Sequence, residues 1–311
     1  MKPFWPVAML LMGLTWVATA ATPPAGTSAD GDTTLPVLVT ADWLGARLPD
    51  PELVVIQVCA THREYRRGHI PGARFLWSSW LIPSTPEASA VMPELETARA
   101  ILAGFGVGPG SRIVLYGDSG RETAVARIFV TLEYLGLAGR VAVLDGGLPA
   151  WREADQPLSV VAPAVTAALP DLRLRPELLA GADWLNTART QPGVAVVDAR
   201  SAPAFRGESG GAPRPGHIPG AGNLPSPELM DKSGRFKPRP VLEQLFQAAG
   251  AAPGDQVIAT CNVGMAASLL YLAARHLGYT ARLYDGSFEE WSDRTELPLE
   301  ITPAAPPPAG K

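Results

Sequence analysis

Cysteine is scarce in this sequence: Cys59 and Cys261 are the only two among 311 residues, and they lie in different halves of the chain. That count excludes a disulfide framework and leaves either a single long-range bridge or thiols kept for chemistry. An excess of basic residues is also missing. Lysine and arginine number 26 against 30 aspartates and glutamates, a formal net charge of −4, and no basic stripe offers the clustered cations that neutralise nucleic-acid phosphates. Long apolar runs are missing too. The one candidate, residues 7–17, is shorter than the roughly 20 residues that cross a bilayer. With Lys2 ahead of it and the small residues Ala18, Thr19 and Ala20 behind it, it reads as a secretory signal peptide over residues 1–20, cleaved after Ala20. The mature protein is then expected to be exported, with the periplasm as its compartment, and to keep no stable membrane anchor.

What the sequence does have is apolar material for two cores, with 47% hydrophobic and 18% charged residues, in a length that suits two domains of about 130 residues each. Self-comparison shows one series of signals occurring twice. Gly68-His69-Ile70-Pro71-Gly72-Ala73 returns as Gly216-His217-Ile218-Pro219-Gly220-Ala221. Gly108-Pro109-Gly110-Ser111 and the apolar run after it return as Ala252-Pro253-Gly254-Asp255 and its run. Val143-Leu144-Asp145-Gly146-Gly147 with Trp151 returns as Leu283-Tyr284-Asp285-Gly286-Ser287 with Trp291. Within each copy, short runs rich in Val and Ile (residues 53–58, 113–116 and 141–144) alternate with helical stretches (124–135 and 266–277). That alternation predicts an α/β fold of two tandem domains, each a mainly parallel sheet flanked by helices. The domains are expected at 35–157 and 172–300, joined by a Pro- and Ala-containing linker at 158–171. Residues 22–32 and 301–311 are expected to be a disordered leader and tail.

Residues 257–260 read as a buried strand that ends at Cys261, and from Ala266 the apolar spacing is helical. Between them lies Cys261-Asn262-Val263-Gly264-Met265. In a parallel sheet such a strand-to-helix turn is where ligands bind. Its N–H groups and the helix N-terminus favour an anion, and the thiolate is the reactive form of cysteine. Gly264 lets the turn fold tightly around the sulfur. Position alone leaves open the opposite reading, a small buried residue without chemistry.

The paired Gly-His-Ile-Pro-Gly-Ala motifs, the Asp-Gly turns followed by Trp and the cysteine loop in the second copy resemble the tandem rhodanese and mercaptopyruvate sulfurtransferase family over nearly the whole mature chain. The resemblance implies a degenerate rhodanese-like first domain, a catalytic second domain and a sulfurtransferase. Cys261 would take sulfane sulfur from thiosulfate or 3-mercaptopyruvate as a persulfide and pass it to a thiophilic acceptor such as cyanide or another thiol, with ping-pong kinetics. No cofactor and no metal is expected. Asp198 and Arg200 match the family's Asp-x-Arg signature and are read as an ion pair bracing the loop. Arg214 matches an arginine that binds the substrate carboxylate in mercaptopyruvate enzymes, a use that suits the planar guanidinium fork. A second family arginine would fall at Ala204. Arg206, two residues on, is either its substitute or a solvated surface residue. Asn262, Val263, Gly264, Met265 and Ala266 would line the donor's path, and they match neither the basic loop of thiosulfate enzymes nor the loop of mercaptopyruvate enzymes.

His69 and His217 occupy the same place in both copies, one of which has no cysteine in its loop, so both are read as structural. Asp285 and Trp291 are read as fold residues for the same reason. In the first copy Gly117, or Asp118 with a one-residue slip, stands where Cys261 stands in the second, and Val58-Cys59-Ala60 stands for the Asp-x-Arg signature. Cys59 is read as a core residue and the first domain as a cover over the cleft. A cysteine phosphatase of the same fold would carry an arginine where this chain has Ala267, which excludes that chemistry. The remaining alternative is a non-catalytic rhodanese-like module that carries sulfur or binds a partner.

Overall fold

The computed structural model describes residues 34–86, 88–210 and 212–302. The expected signal peptide, leader and most of the tail lie outside the described residues. The described residues form one unit. In chain order, the first half contains β1 (Leu38–Val39), α1 (Ala41–Gly45), β2 (Leu53–Cys59), α2 (His62–Arg66), β3 (Arg74–Trp77), α3 (Ser78–Leu81), α4 (Leu95–Gly104), β4 (Arg112–Gly117), α5 (Glu122–Leu132), β5 (Val141–Leu144) and α6 (Gly147–Glu153). The second half contains β6 (Leu179–Ala180), α7 (Ala182–Ala188), β7 (Val194–Asp198), α8 (Ala202–Phe205), β8 (Gly222–Asn223), α9 (Arg239–Ala248), β9 (Gln256–Thr260), α10 (Met265–Leu277), β10 (Thr280–Tyr284) and α11 (Ser287–Asp293).

Each half builds a five-stranded parallel sheet with the same order, β1-β5-β4-β2-β3 and β6-β10-β9-β7-β8. The central strands are buried on both faces, all seven residues of β2 included, which is why they read as continuous Val and Ile runs rather than alternating ones. Helices α5 and α10 pack against one another, and their apolar faces belong to one core that runs through both sheets. The sheets' other faces hold separate smaller cores around Trp151 and Trp291. Each indole N–H donates to a following proline carbonyl, Pro157 or Pro298, at 2.8 Å, so the repeated Trp closes each half.

The linker region is tied down along the first half. Ser159 bridges His69, Ala168 donates to the Ala103 carbonyl, and Arg173 and Arg175 donate to the carbonyls of Leu135 and Tyr134. Arg99 reaches the Pro170 carbonyl at 2.7 Å. A second tie is charged: Glu133, just past α5, is buried and accepts from Tyr271 at 2.7 Å and from Arg275 at 3.2 Å on α10.

Sheet register fixes the equivalence of the two halves. Val143 and Leu283 each lie two residues before the Asp of the Asp-Gly turn, and they pair with Leu115 and Ala259 respectively. Gly117 is therefore the counterpart of Cys261, with no slip to Asp118. Leu115 in turn pairs with Ile56, and Ala259 with Val197. The counterpart of Asp198-Ala199-Arg200 is thus Gln57-Val58-Cys59, one residue earlier than the sequence comparison set it. The stretch from this strand position to the glycine motif is seven residues longer in the second half (19 from Asp198 to His217 against 12 from Gln57 to His69), so the motifs do not carry the register back to the strands.

Candidate active site

Strand β9 delivers Cys261 to the carboxyl edge of the second sheet, and α10 begins at Met265, four residues later. Gly264 caps the helix in a left-handed conformation (φ 81°), where a side chain would be strained. Cys261 is 3% exposed and unbridged, as is Cys59. Its main chain is held at both ends: its N–H donates to Ser287 Oγ at 3.2 Å and its carbonyl accepts from Phe288 N at 2.8 Å. Asn262 faces solvent, and its carbonyl accepts from Glu289 N at 3.1 Å. Val263 is half-buried and Gly264 buried, while Met265 and Ala266 sit in the first turn of α10, whose N–H groups have no intrahelical acceptor. Such a turn is a favourable place for an anionic ligand.

Ser287, in sequence only part of the Asp-Gly turn, is a site residue. It sits at φ 52°, matching Gly147 at φ 53° in the first half. A side chain at Gly147 would collide with the Gly117 carbonyl, whereas Ser287 fits beside Cys261 and donates to the Tyr284 carbonyl at 2.8 Å. The signal was present: a serine replaces the second glycine of the turn only in the copy that carries the cysteine.

Asp198 and Arg200 form a buried pair. Arg200 Nε lies 2.9 Å from Asp198 Oδ2 and Nη2 lies 2.6 Å from it, while Nη2 also donates to the Gly216 carbonyl at 2.9 Å. Burial pushes the Asp198 carboxyl upward while the Arg200 fork pulls it down. The guanidinium stacks on Phe288 at 3.7 Å, the residue that holds the Cys261 carbonyl. The pair therefore touches the loop through that ring.

Two of the expected anion-binding residues are placed otherwise. Arg214 donates to the carbonyls of Ser292 (2.8 Å), Leu297 (3.1 Å), Trp291 (3.1 Å) and Arg294 (2.5 Å). It caps the end of α11, whose last carbonyls have no intrahelical donors, and its fork is unavailable to a substrate carboxylate. Arg206 is held by Glu208 at 2.8 and 2.7 Å through both carboxylate oxygens, an exposed pair of neighbours in sequence rather than a substitute for the missing arginine at Ala204. His217 and His69 are buried, each stacked on the aromatic ring before it (Phe205 at 3.7 Å, Tyr65 at 3.8 Å) and bonded through Nδ1 to that residue's carbonyl. Cys59 ends β2 in the core, where burial pushes its thiol up to about 12. Among the described residues no group of three metal-ligating side chains is assembled, and no helix is long and apolar enough to cross a membrane.

The cation that does reach the loop comes from the other half. Arg127 on α5 is fully buried. Its Nη1 lies 2.6 Å from Asp285 Oδ1 and 3.1 Å from where a side chain on Gly264 would begin. Its Nη2 donates to the Ala90 carbonyl. In the first half the equivalent Asp145 accepts instead from the Phe236 N–H at 2.9 Å.

A rhodanese-like domain matches twice, over residues 40–154 and 181–294. The chain belongs to the tandem rhodanese and mercaptopyruvate sulfurtransferase family, and with it to the sulfurtransferases. It is 33% identical to a thiosulfate sulfurtransferase of Azotobacter vinelandii over 88% of this chain and 100% of that one. It is 30% identical to a 3-mercaptopyruvate sulfurtransferase of Escherichia coli K12 over 84% and 97%. Among solved structures it resembles a 3-mercaptopyruvate sulfotransferase of Escherichia coli with a TM-score of 0.71 and 28% identity, over 81% of this chain and 99% of that one. Each match covers four of the five strands of one sheet, starting just after β1 or β6 and closing near the end of α6 or α11.

Proposed function

We propose that this sulfurtransferase moves sulfane sulfur through a persulfide on Cys261. The observation that carries the reading is the equivalence of Cys261 with Gly117: one architecture occurs twice, and only the second carries a thiol at the strand-to-helix turn. The Cys261 thiolate attacks the outer sulfur of thiosulfate, the donor's S–S bond breaks and sulfite leaves with the bonding pair. A thiophilic acceptor, cyanide or a thiol, then attacks the outer sulfur of the persulfide and returns the thiolate. The loop N–H groups and the N-terminal turn of α10 stabilise the anionic sulfur in both states. With Arg214 spent on carbonyls, Arg206 on Glu208 and alanine at 204, no fork is left at the family positions for a 3-mercaptopyruvate carboxylate. That supports thiosulfate as the preferred donor. Residues 1–20 support export to a periplasm, where a shielded loop protects the persulfide from oxidation.

The test is turnover to cyanide with each donor. The reading predicts a kcat/KM for thiosulfate about tenfold or more above that for 3-mercaptopyruvate, as expected where a site lacks the partner of a substrate's polar group, and no turnover by Cys261→Ser. A serine variant with parent activity contradicts the mechanism, and a preference for 3-mercaptopyruvate contradicts the donor.

A further inference from the structure

A buried charge is costly unless it is compensated, and an ion pair in a core is often no more stabilising than apolar residues of the same volume. Arg127 therefore calls for an explanation beyond holding two halves together, which the Leu- and Val-rich faces of α5 and α10 already do. Its setting supplies one. The two Asp-Gly turns are equivalent, and each receives a donor from the opposite half. Where no nucleophile exists, that donor is the backbone N–H of Phe236, and the cation beside the turn, Arg235, is partly exposed and paired with Glu153. Where the cysteine stands, it is a guanidinium with no solvent exposure. From Asp285 the chain runs through Gly286 to Ser287, whose hydroxyl holds the Cys261 N–H, and on the other side Arg127 lies against the loop at Gly264. The cation thus bears on the loop at both ends. Its Nε and Nη1 make no hydrogen bond among the described residues, so the contact with Asp285 is one of charge.

We propose that Arg127, supplied by the half that has no nucleophile, is the positioning residue of the Cys261 loop: it fixes Asp285 and cancels that carboxylate's charge, so that an anionic donor can approach the thiolate. The inference rests on the reading of Cys261 as the nucleophile, and it goes further by making the first domain a contributor of charge to the site. An anionic sulfur compound meeting a cysteine thiolate has to overcome like-charge repulsion. An unpaired Asp285 beside the loop would add to it, and the Arg127–Asp285 pair leaves the surroundings neutral. Among the described residues this role falls to Arg127, because Arg200, Arg206 and Arg214 are engaged elsewhere.

The experiment uses the full-length protein and two alkylating agents of nearly equal size, iodoacetate, an anion, and iodoacetamide, which is neutral. The rate of each at Cys261 is read by mass spectrometry of the cysteine-containing peptide, with Cys59 as the internal unreactive thiol. The quantity of interest is the iodoacetate-to-iodoacetamide ratio, in which general damage to the fold cancels. Arg127→Met, which leaves Asp285 unpaired, is expected to lower the ratio by about fivefold or more, the size of one uncompensated charge at close range in a partly screened site. Asp285→Asn, which leaves Arg127 unpaired, is expected to raise it by a similar factor, and Arg127→Lys to keep it near the parent value. A merely structural arginine would slow both reagents alike and leave the ratio unchanged in both variants. Unchanged ratios, or ratios that move in the same direction in Arg127→Met and Asp285→Asn, overturn the proposal. A parent protein whose Cys261 reacts with neither reagent overturns the nucleophile reading instead, so the two failures are distinguishable.

Discussion

At the scale of single residues, the arginines differ more by what they already hold than by where they stand in the sequence. Arg214 has a motif position that suggests substrate binding, yet its guanidinium closes four carbonyls at the end of α11. Hydrogen bonds to a charged group contribute about 1.5–3 kcal/mol each, and buried carbonyls left without donors cost about as much. Arg214→Met is therefore expected to lower stability by about 3 kcal/mol, measured by denaturant unfolding, while the KM for either sulfur donor stays within about twofold of the parent. A raised KM with unchanged stability would return Arg214 to the substrate. Cys261 itself was legible because its neighbours announce a strand end and a helix start. Arg127 was not, because a charged residue in an otherwise apolar helical stretch gives no sign of which distant loop it meets. Ser287 lay between these cases, visible as a departure from its glycine counterpart but without a stated partner.

At the scale of elements, the turn between β9 and α10 joins the two roles of the second half, and Gly264 is its pivot. The residue has φ 81° and little room for a side chain, with Arg127 Nη1 at 3.1 Å and the Asp285 carbonyl at 3.2 Å from a Cβ placed there. Gly264→Ala is expected to cost about 1–3 kcal/mol through left-handed strain and crowding. It should also cut sulfur transfer about tenfold or more, since displacing a reacting group by an ångström has effects of that size or larger. Unfolding curves and turnover measured on the same preparation check both, and a fully active variant would show that the loop is not held where the structure places it. The alternation of strands and helices was readable because buried parallel strands carry unbroken Val and Ile runs. Short edge strands were not: β6 and β8 are two residues each, too brief for any periodicity. Register at Gln57-Val58-Cys59 is set by strand pairing and is hidden in the sequence, because the distance from this strand to the glycine motif differs by seven residues between the halves.

At the scale of the whole molecule, duplication has left two equivalent sites with different fates. The first keeps the turn and the Asp but puts Gly117 at the nucleophile's place and Cys59 where the second half has Arg200. Its thiol is buried and raised to about 12, so at neutral pH it stays protonated and unreactive. The halves are joined by a continuous apolar core, by the Glu133–Arg275 pair and by Arg127, which makes the first domain part of the site rather than a passive lid. The central claim is that one thiol of two accepts sulfur. The most direct test is intact mass of the full chain after treatment with thiosulfate and removal of the excess, followed by peptide mapping. The account predicts a gain of about one sulfur atom, as expected for a covalent intermediate, located on Cys261, reversed by cyanide and lost in Cys261→Ser. Sulfur found on Cys59, a bridge between the two cysteines, or no gain in mass would contradict it.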